Sequence, residues 1–331
     1  MIECIFTIDY EIYGNGEGSL KDLIYEPAAK LIDMFLKYNV CFVPFVEVAE
    51  LELIEKYASD PFINLVKRQV KDFHHNGFEL GLHLHPQWYN ARYNNGIWQL
   101  DYNEYNLCTQ SPERINRIVE RSINYFRHIL GIHDFTPFSF RAGNWLFQPT
   151  GNMAKALSRY HINIDSSVFK GGLQHQHHLD YRPALQNGYF WKFQDDVNKA
   201  DANGTVIEIP IYTEMVAPWQ MATKKRLGLQ KKSSSGTKTA KQNFYRLLDM
   251  ARLHQPLKFD FCRMTIEELT GMMDKVIEND KKNMQSYKPI VAIGHTKDLV
   301  DFKTIEIFLS YLKEKNIKVT TFMDAINKIV S

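Results

Sequence analysis

The sequence predicts an α/β protein whose mainly parallel sheet closes, or nearly closes, into a barrel of seven or eight strand-helix units. Two observations carry this. Short apolar runs alternate with helical patterns along most of the 331 residues, and polar, chemistry-bearing side chains recur where those runs end. A chain of this length is ample to bury a barrel core. One domain over 1–331 is expected, with long insertions at about 86–110 and 212–262.

The first strand is Ile2 to Asp9, followed by a turn with Gly14, Gly16 and Gly18 and a helix whose apolar side carries Leu31, Met34, Phe35 and Leu36. A second strand, Val40 to Val46, leads into a helical pattern stopped by Asn76-Gly77. Phe78 to Leu84 is then a third strand. Ser111-Pro112-Glu113 supplies an N-cap and a first-position proline for a helix that runs to Gly131, with Ile115, Ile118, Val119, Ile123, Phe126 and Ile129 at helical spacing. Pro137 to Arg141, His161 to Asp165, Val206 to Ile211, Ile290 to Ile293 and Ile317 to Thr321 complete the strands. Thr265-Ile266-Glu267-Glu268 is a capping box. The segment from Met221 to Arg246, with its Lys-Lys-Ser-Ser-Ser-Gly run, has the composition of a mobile loop.

Composition narrows the function. Hydrophobic residues at 44% and charged residues at 24% fit a globular chain rather than a disordered or membrane-embedded one. A net charge of +2 argues against a nucleic-acid binder. That total is uneven, because 221–246 holds eight cations and no acid, which leaves −6 for the remainder. Such a basic segment suits phosphate groups or peripheral contact with an anionic membrane surface. Cys4, Cys41, Cys108 and Cys262 have no metal-ligand spacing and read as reduced thiols. With no basic leader and no apolar span, a cytoplasmic location is expected.

In parallel α/β folds the reacting groups sit at the carboxyl ends of strands. Asp9 and Glu11, two residues apart at the end of the first strand, point to one side. His83 and His85 do the same at the end of the third, before Pro86. Two imidazoles beside two carboxylates form a donor set for a catalytic divalent ion such as zinc, which keeps an open position for water. Arg141 emerges from an apolar strand and needs a carboxylate partner, Asp9 or Asp165. His295 ends the strand near the carboxyl terminus.

The order of these motifs resembles the polysaccharide deacetylases, the NodB-like carbohydrate esterase family four, and most of the chain takes part. The resemblance implies a distorted (β/α)7-8 barrel of the glycoside hydrolase/deacetylase type. Thr7-Ile8-Asp9-Tyr10-Glu11 is similar to the variant of the first motif in which the acids are spaced by one residue. Asp9 is then the general base and Glu11 the carboxylate ligand. The family's paired histidines lie four apart, whereas here they are His83 and His85, in a His-x-His-Pro form that looks like cytoplasmic relatives. Arg141-Ala142-Gly143 shortens the third motif, with Arg141 orienting the base. Asp165 matches the aspartate that positions that arginine, and His295 the general acid. The implied activity is metal-dependent removal of an N-acetyl group from a sugar, polymeric or lipid- or nucleotide-linked, using zinc or alternatively cobalt or nickel.

Trp145, directly after the arginine motif, Trp88, Lys231 and Lys232 are candidate substrate contacts. Other readings of the same residues are an amidohydrolase, whose His-x-His lies on the first strand, a metal-free glycoside hydrolase, and a carbohydrate-binding protein without turnover.

Overall fold

The computed structural model describes residues 1–184, 189–233, 245, 248–249, 252–284 and 286–329, with backbone alone for 229–233. Its main sheet has nine strands: β1 Ile2–Tyr10, β2 Val43–Glu47, β3 Gly81–Leu84, β4 Ser139–Ala142, β5 Ile164–Asp165, β6 Trp191–Phe193, β7 Val206–Glu208, β8 Lys288–His295 and β9 Lys318–Val319. The spatial order is β6-β7-β5-β4-β3-β2-β1-β8, and β9 pairs with the start of β1. All these pairings are parallel except β6 with β7. Past β7 the chain forms single parallel bridges from Ile211 to Phe169 on one side and to Val291 of β8 on the other. Those bridges turn the curled sheet into a distorted barrel, as the alternation of strands and helices predicts.

Helices α1 Glu26–Lys37, α2 Val48–Tyr57, α3 Ile63–His75, α4 Pro112–Leu130, α5 Gly151–Arg159, α6 Lys224–Ser233, α7 Ile266–Lys282, α8 Phe302–Glu314 and α9 Phe322–Ile329 fill the connections. The expected capping chemistry is present. Ser111 Oγ accepts the Arg114 amide at 3.2 Å and Gly131 closes α4 at φ 74°. Thr265 and Glu268 bond reciprocally at the start of α7. Along β1 the residues between the inward-facing ones pack outward: Phe6 meets Phe35 of α1 and Phe308 of α8 edge-on or tilted, and Tyr10 meets Phe73 of α3. Both sides of β1 are therefore dry, which is why it reads as an almost continuous apolar run.

Several boundaries differ from the sequence expectation. The second strand starts at Val43 rather than Val40, the fifth contains only Ile164–Asp165, and the eighth extends to Lys288–His295. The antiparallel edge strand β6 escaped prediction because Trp-Lys-Phe is too short for a period-two signal. The insertion at 86–110 holds a hairpin of Arg92–Asn94 with Ile97–Gln99, and the one at 212–262 a hairpin of Thr213–Val216 with Gln255–Lys258. Within the expected loop at 221–246, residues 224–233 are helical. Most of its remainder lies outside the described residues.

Candidate active site

Strand register brings the polar residues together. Asp9 of β1 is the lateral partner of His295 of β8, and His83 of β3 is flanked by Glu47 of β2 and Arg141 of β4. Asp9, Glu11, His83, His85, Arg141 and His295 are all buried at this one mouth of the barrel.

Glu11 is the hub. Its Oε2 lies 2.9 Å from His85 Nε2 and 3.4 Å from His83 Nε2, while Oε1 accepts from Lys297 Nζ at 2.7 Å. Burial alone would raise its pKa, but Lys297, His85 and His83 hold it well below the usual carboxylate range. Asp9 presents Oδ1 to Arg141 Nη1 at 2.7 Å and Oδ2 to His295 Nε2 at 3.4 Å. It too stays ionised, because Arg141, His83 and His295 outweigh the burial that opposes the charge. His83 is pushed down by burial yet raised to about 9 by Asp9, Glu11 and Glu47. The pocket thus favours a cation between its carboxylates.

The residues fit a divalent ion. Glu11, His83 and His85 each offer one donor atom within 4.8 Å of the others, and Asp9, Glu11 and His295 form a second such group. His83 Nε2 is buried without a hydrogen-bond partner, while its Nδ1 lies 2.9 Å from the Arg141 carbonyl, which fixes the ring. An imidazole held by one nitrogen with the other left open is how a metal-ligating histidine is presented. His85 Nδ1 lies 3.2 Å from both Gln87 Nε2 and Asn144 Nδ2, so it can accept from either amide and leave Nε2 toward Glu11.

Arg141 is fully buried, with its guanidinium 4.1 Å from the centre of the Phe45 ring. It donates to Asp9, to Thr7 Oγ1 at 2.9 Å, and to the carbonyl and hydroxyl of Ser166. Asp165 does not pair with it. The Asp165 carboxylate instead accepts from Ser167 Oγ at 2.6 Å and hydrogen-bonds the Glu208 carboxyl, whose pKa burial pushes well up. The resemblance implies that Asp165 positions the arginine; Asp165 acts on it only through its field, while the carbonyl and hydroxyl of Ser166 make the direct contacts.

The proposed substrate contacts divide. Trp145 stands at the mouth, its ring centre 6.3 Å from that of His295. Trp88 is 1% exposed and packs edge-on to Trp98 at 5.0 Å, so it has no face for a sugar and belongs to the core. The side chains of Lys231 and Lys232 lie outside the described residues.

Lys297, Lys258, Glu47 and Asp298 were not singled out from sequence. Glu47 caps α2 by accepting the Ala49 amide at 3.1 Å and also accepts the His85 amide, so one buried carboxyl ties β3 to α2. Asp298 Oδ2 lies 3.8 Å from His295 Nδ1 and pairs with Arg263 at 2.6 Å. Lys297 and Asp298 follow His295 so closely that their position after a strand-end histidine was the available signal. Lys258 and Glu47 gave none.

No family model and no curated protein matches the chain. Solved structures do. A Mycobacterium smegmatis protein assigned as a polysaccharide deacetylase superposes with a TM-score of 0.53 at 12% identity, over 99% of this chain and 90% of that one. The fold is the deacetylase-type barrel. A glycoside hydrolase family 57 branching enzyme from Thermococcus kodakaraensis shares it, with a TM-score of 0.55 at 11% identity over 98% of this chain and 71% of that one. In parallel α/β barrels the functional groups gather at the carboxyl ends of the strands, where Asp9, His83, Arg141 and His295 lie here. No helix among the described residues is long and apolar enough to cross a membrane.

Proposed function

We propose that the protein is a metal-dependent hydrolase that removes an N-acetyl group from a sugar. The carrying observation is the convergence of Glu11, His83 and His85 on one point beside the ionised, arginine-paired Asp9. Glu11, His83 and His85 would hold the ion, zinc by the chemistry of the donors, with cobalt or nickel as substitutes. Once bound, it supplies a Lewis acid for the amide carbonyl and makes water more acidic.

The remaining chemistry belongs to the chain. Asp9, kept unprotonated by Arg141, accepts the proton of the attacking water. Burial lowers the pKa of His295 to about 4, so the imidazole begins neutral. It takes the proton from Asp9 across the 3.4 Å contact and passes it to the departing nitrogen. Asp298 faces the opposite ring nitrogen and stabilises the imidazolium formed in between. The fold shared with a polysaccharide deacetylase supports a carbohydrate substrate.

The test is acetate release from a panel of N-acetylated sugars by protein loaded with zinc, cobalt or nickel. Release that needs the metal and is abolished in Asp9→Asn is expected. Sugar binding without acetate release, with every metal, would instead make the protein a carbohydrate-binding relative.

A further inference from the structure

Among the described residues, one cation at the mouth has neither an ion-pair nor a hydrogen-bond partner. Lys258 ends the strand Gln255–Lys258, and its ammonium lies 3.2 Å from the centre of the Trp145 ring and 4.8 Å from that of Phe169. Among the described residues no carboxylate pairs with it and no acceptor is hydrogen-bonded to it. Asp260, Asp9, Arg263 and Arg141 act on it only through their fields, and burial pushes its pKa down to about 7. A half-buried ammonium that rests on two aromatic faces, with no protein acceptor among the described residues, leaves its N–H donors free for a ligand.

The platform beneath it is built rather than incidental. Asn144 and Trp145 adopt left-handed backbone, at φ 55° and 60°, ordinary for asparagine but uncommon for a bulky residue such as tryptophan. The turn is held by the Tyr181 hydroxyl, which donates to the Trp145 carbonyl at 2.6 Å. Gly143, just before it, packs so closely on the Leu84 carbonyl and the His85 ring that no Cβ would fit. Strain is therefore maintained where it fixes the Trp145 ring between Lys258 on one side and His295 nearby. Because Lys258 covers that face of Trp145, a sugar ring cannot stack there. The face recognises charge.

We infer that Lys258 forms an anion subsite of the active site, which accepts a phosphate or carboxylate carried by the N-acetylated sugar. This rests on the hydrolase reading above for the sugar, but not for the anion. An anionic group reaching the ammonium supplies acceptors for its free N–H donors beside the Trp145 and Phe169 faces, as a charge-assisted contact. The preferred substrate is then an acidic or phosphorylated N-acetyl sugar, not a neutral one.

The experiment is calorimetric titration of the zinc-loaded protein with N-acetylglucosamine, N-acetylglucosamine 1-phosphate and N-acetylmuramic acid, on the wild type, Lys258→Met and Lys258→Arg. The wild type is expected to bind the phosphate or the carboxylate ligand at least tenfold tighter than the neutral sugar, and the stronger of the two names the source. Lys258→Met should lose that advantage, and Lys258→Arg should retain most of it. If Lys258→Met does not melt cooperatively, Lys258→Gln takes its place. Equal binding of all three ligands by the wild type, or an advantage that survives loss of the cation, overturns the subsite. Acetate assayed in the same samples keeps the two readings apart, because its absence overturns the hydrolase and leaves the binding result standing.

Discussion

Arg141 Nη1 stands 2.7 Å from Asp9 Oδ1, and both side chains are buried at the centre of the barrel mouth. Removing one member of such a pair strands the other charge away from water, which costs about 3–5 kcal/mol. Arg141→Met should lower the unfolding free energy by that amount in a urea titration. A loss below about 1 kcal/mol would mean that Asp9 is already neutral in the folded protein.

Glu11→Gln and His83→Ala each remove one of three converging donors. Supporting partners alone change metal affinity by about 10–100-fold, so loss of a direct donor should weaken zinc binding by at least that much. Competition against a chromogenic chelator measures it, and Trp88→Phe, a change within the core, serves as the control. Wild-type affinity in either donor variant would remove these residues from the ion.

Gly143→Ala tests the close approach of two strand ends. The added carbon would lie 2.5 Å from the Leu84 carbonyl oxygen and 2.8 Å from the His85 ring, both closer than atoms tolerate. Accommodation should cost about 1–3 kcal/mol and displace His85. Weaker zinc binding together with a lower melting temperature is the expected pair of results; unchanged values for both would show that the turn relaxes freely.

Glu79 gives a pH prediction far from the mouth. Burial raises its pKa from 4.5 to about 7, against hydrogen bonds from the Met323 amide at 2.7 Å and from Ser139. Between those values the folded state keeps a proton that the unfolded state releases. The stability tied to it is complete below 4.5 and lost as pH rises through about 7. Glu79→Gln has no such proton, so wild type minus variant stability should fall by about 3 kcal/mol from pH 4 to pH 8. Parallel pH curves for the two proteins would contradict this.

The motifs at strand ends were legible because a strand has a period of two and a barrel has one reactive end. Asp9 with Glu11, and His83 with His85, needed only that rule. Lys258 was not legible, since nothing near it in the chain marks it, and only the hairpin with Thr213–Val216 carries it to Trp145. Glu47, which directly follows the predicted strand Val40 to Val46, gave no signal, yet it serves at once as a helix cap and as the acceptor for His85. The sequence places Asp165 on a strand end, while leaving the partner of Arg141 open between it and Asp9. Choosing between two carboxylates for one arginine needs the register of Asp165 with Glu208, a long-range fact. Trp88 failed for a similar reason: a tryptophan in a loop after a catalytic strand reads as a sugar platform until a second indole is found against it.

The lateral pairing of Asp9 with His295 joins the first long strand to one that the ribosome makes nearly three hundred residues later. Asp9 and His295 therefore cannot meet until β8 has docked on β1, which is among the slowest kinds of contact to form. Glu11, His83 and His85 are all made well before His295. On the proposed mechanism, the residue that would protonate the departing nitrogen is the last of the proposed site residues to be made and docked.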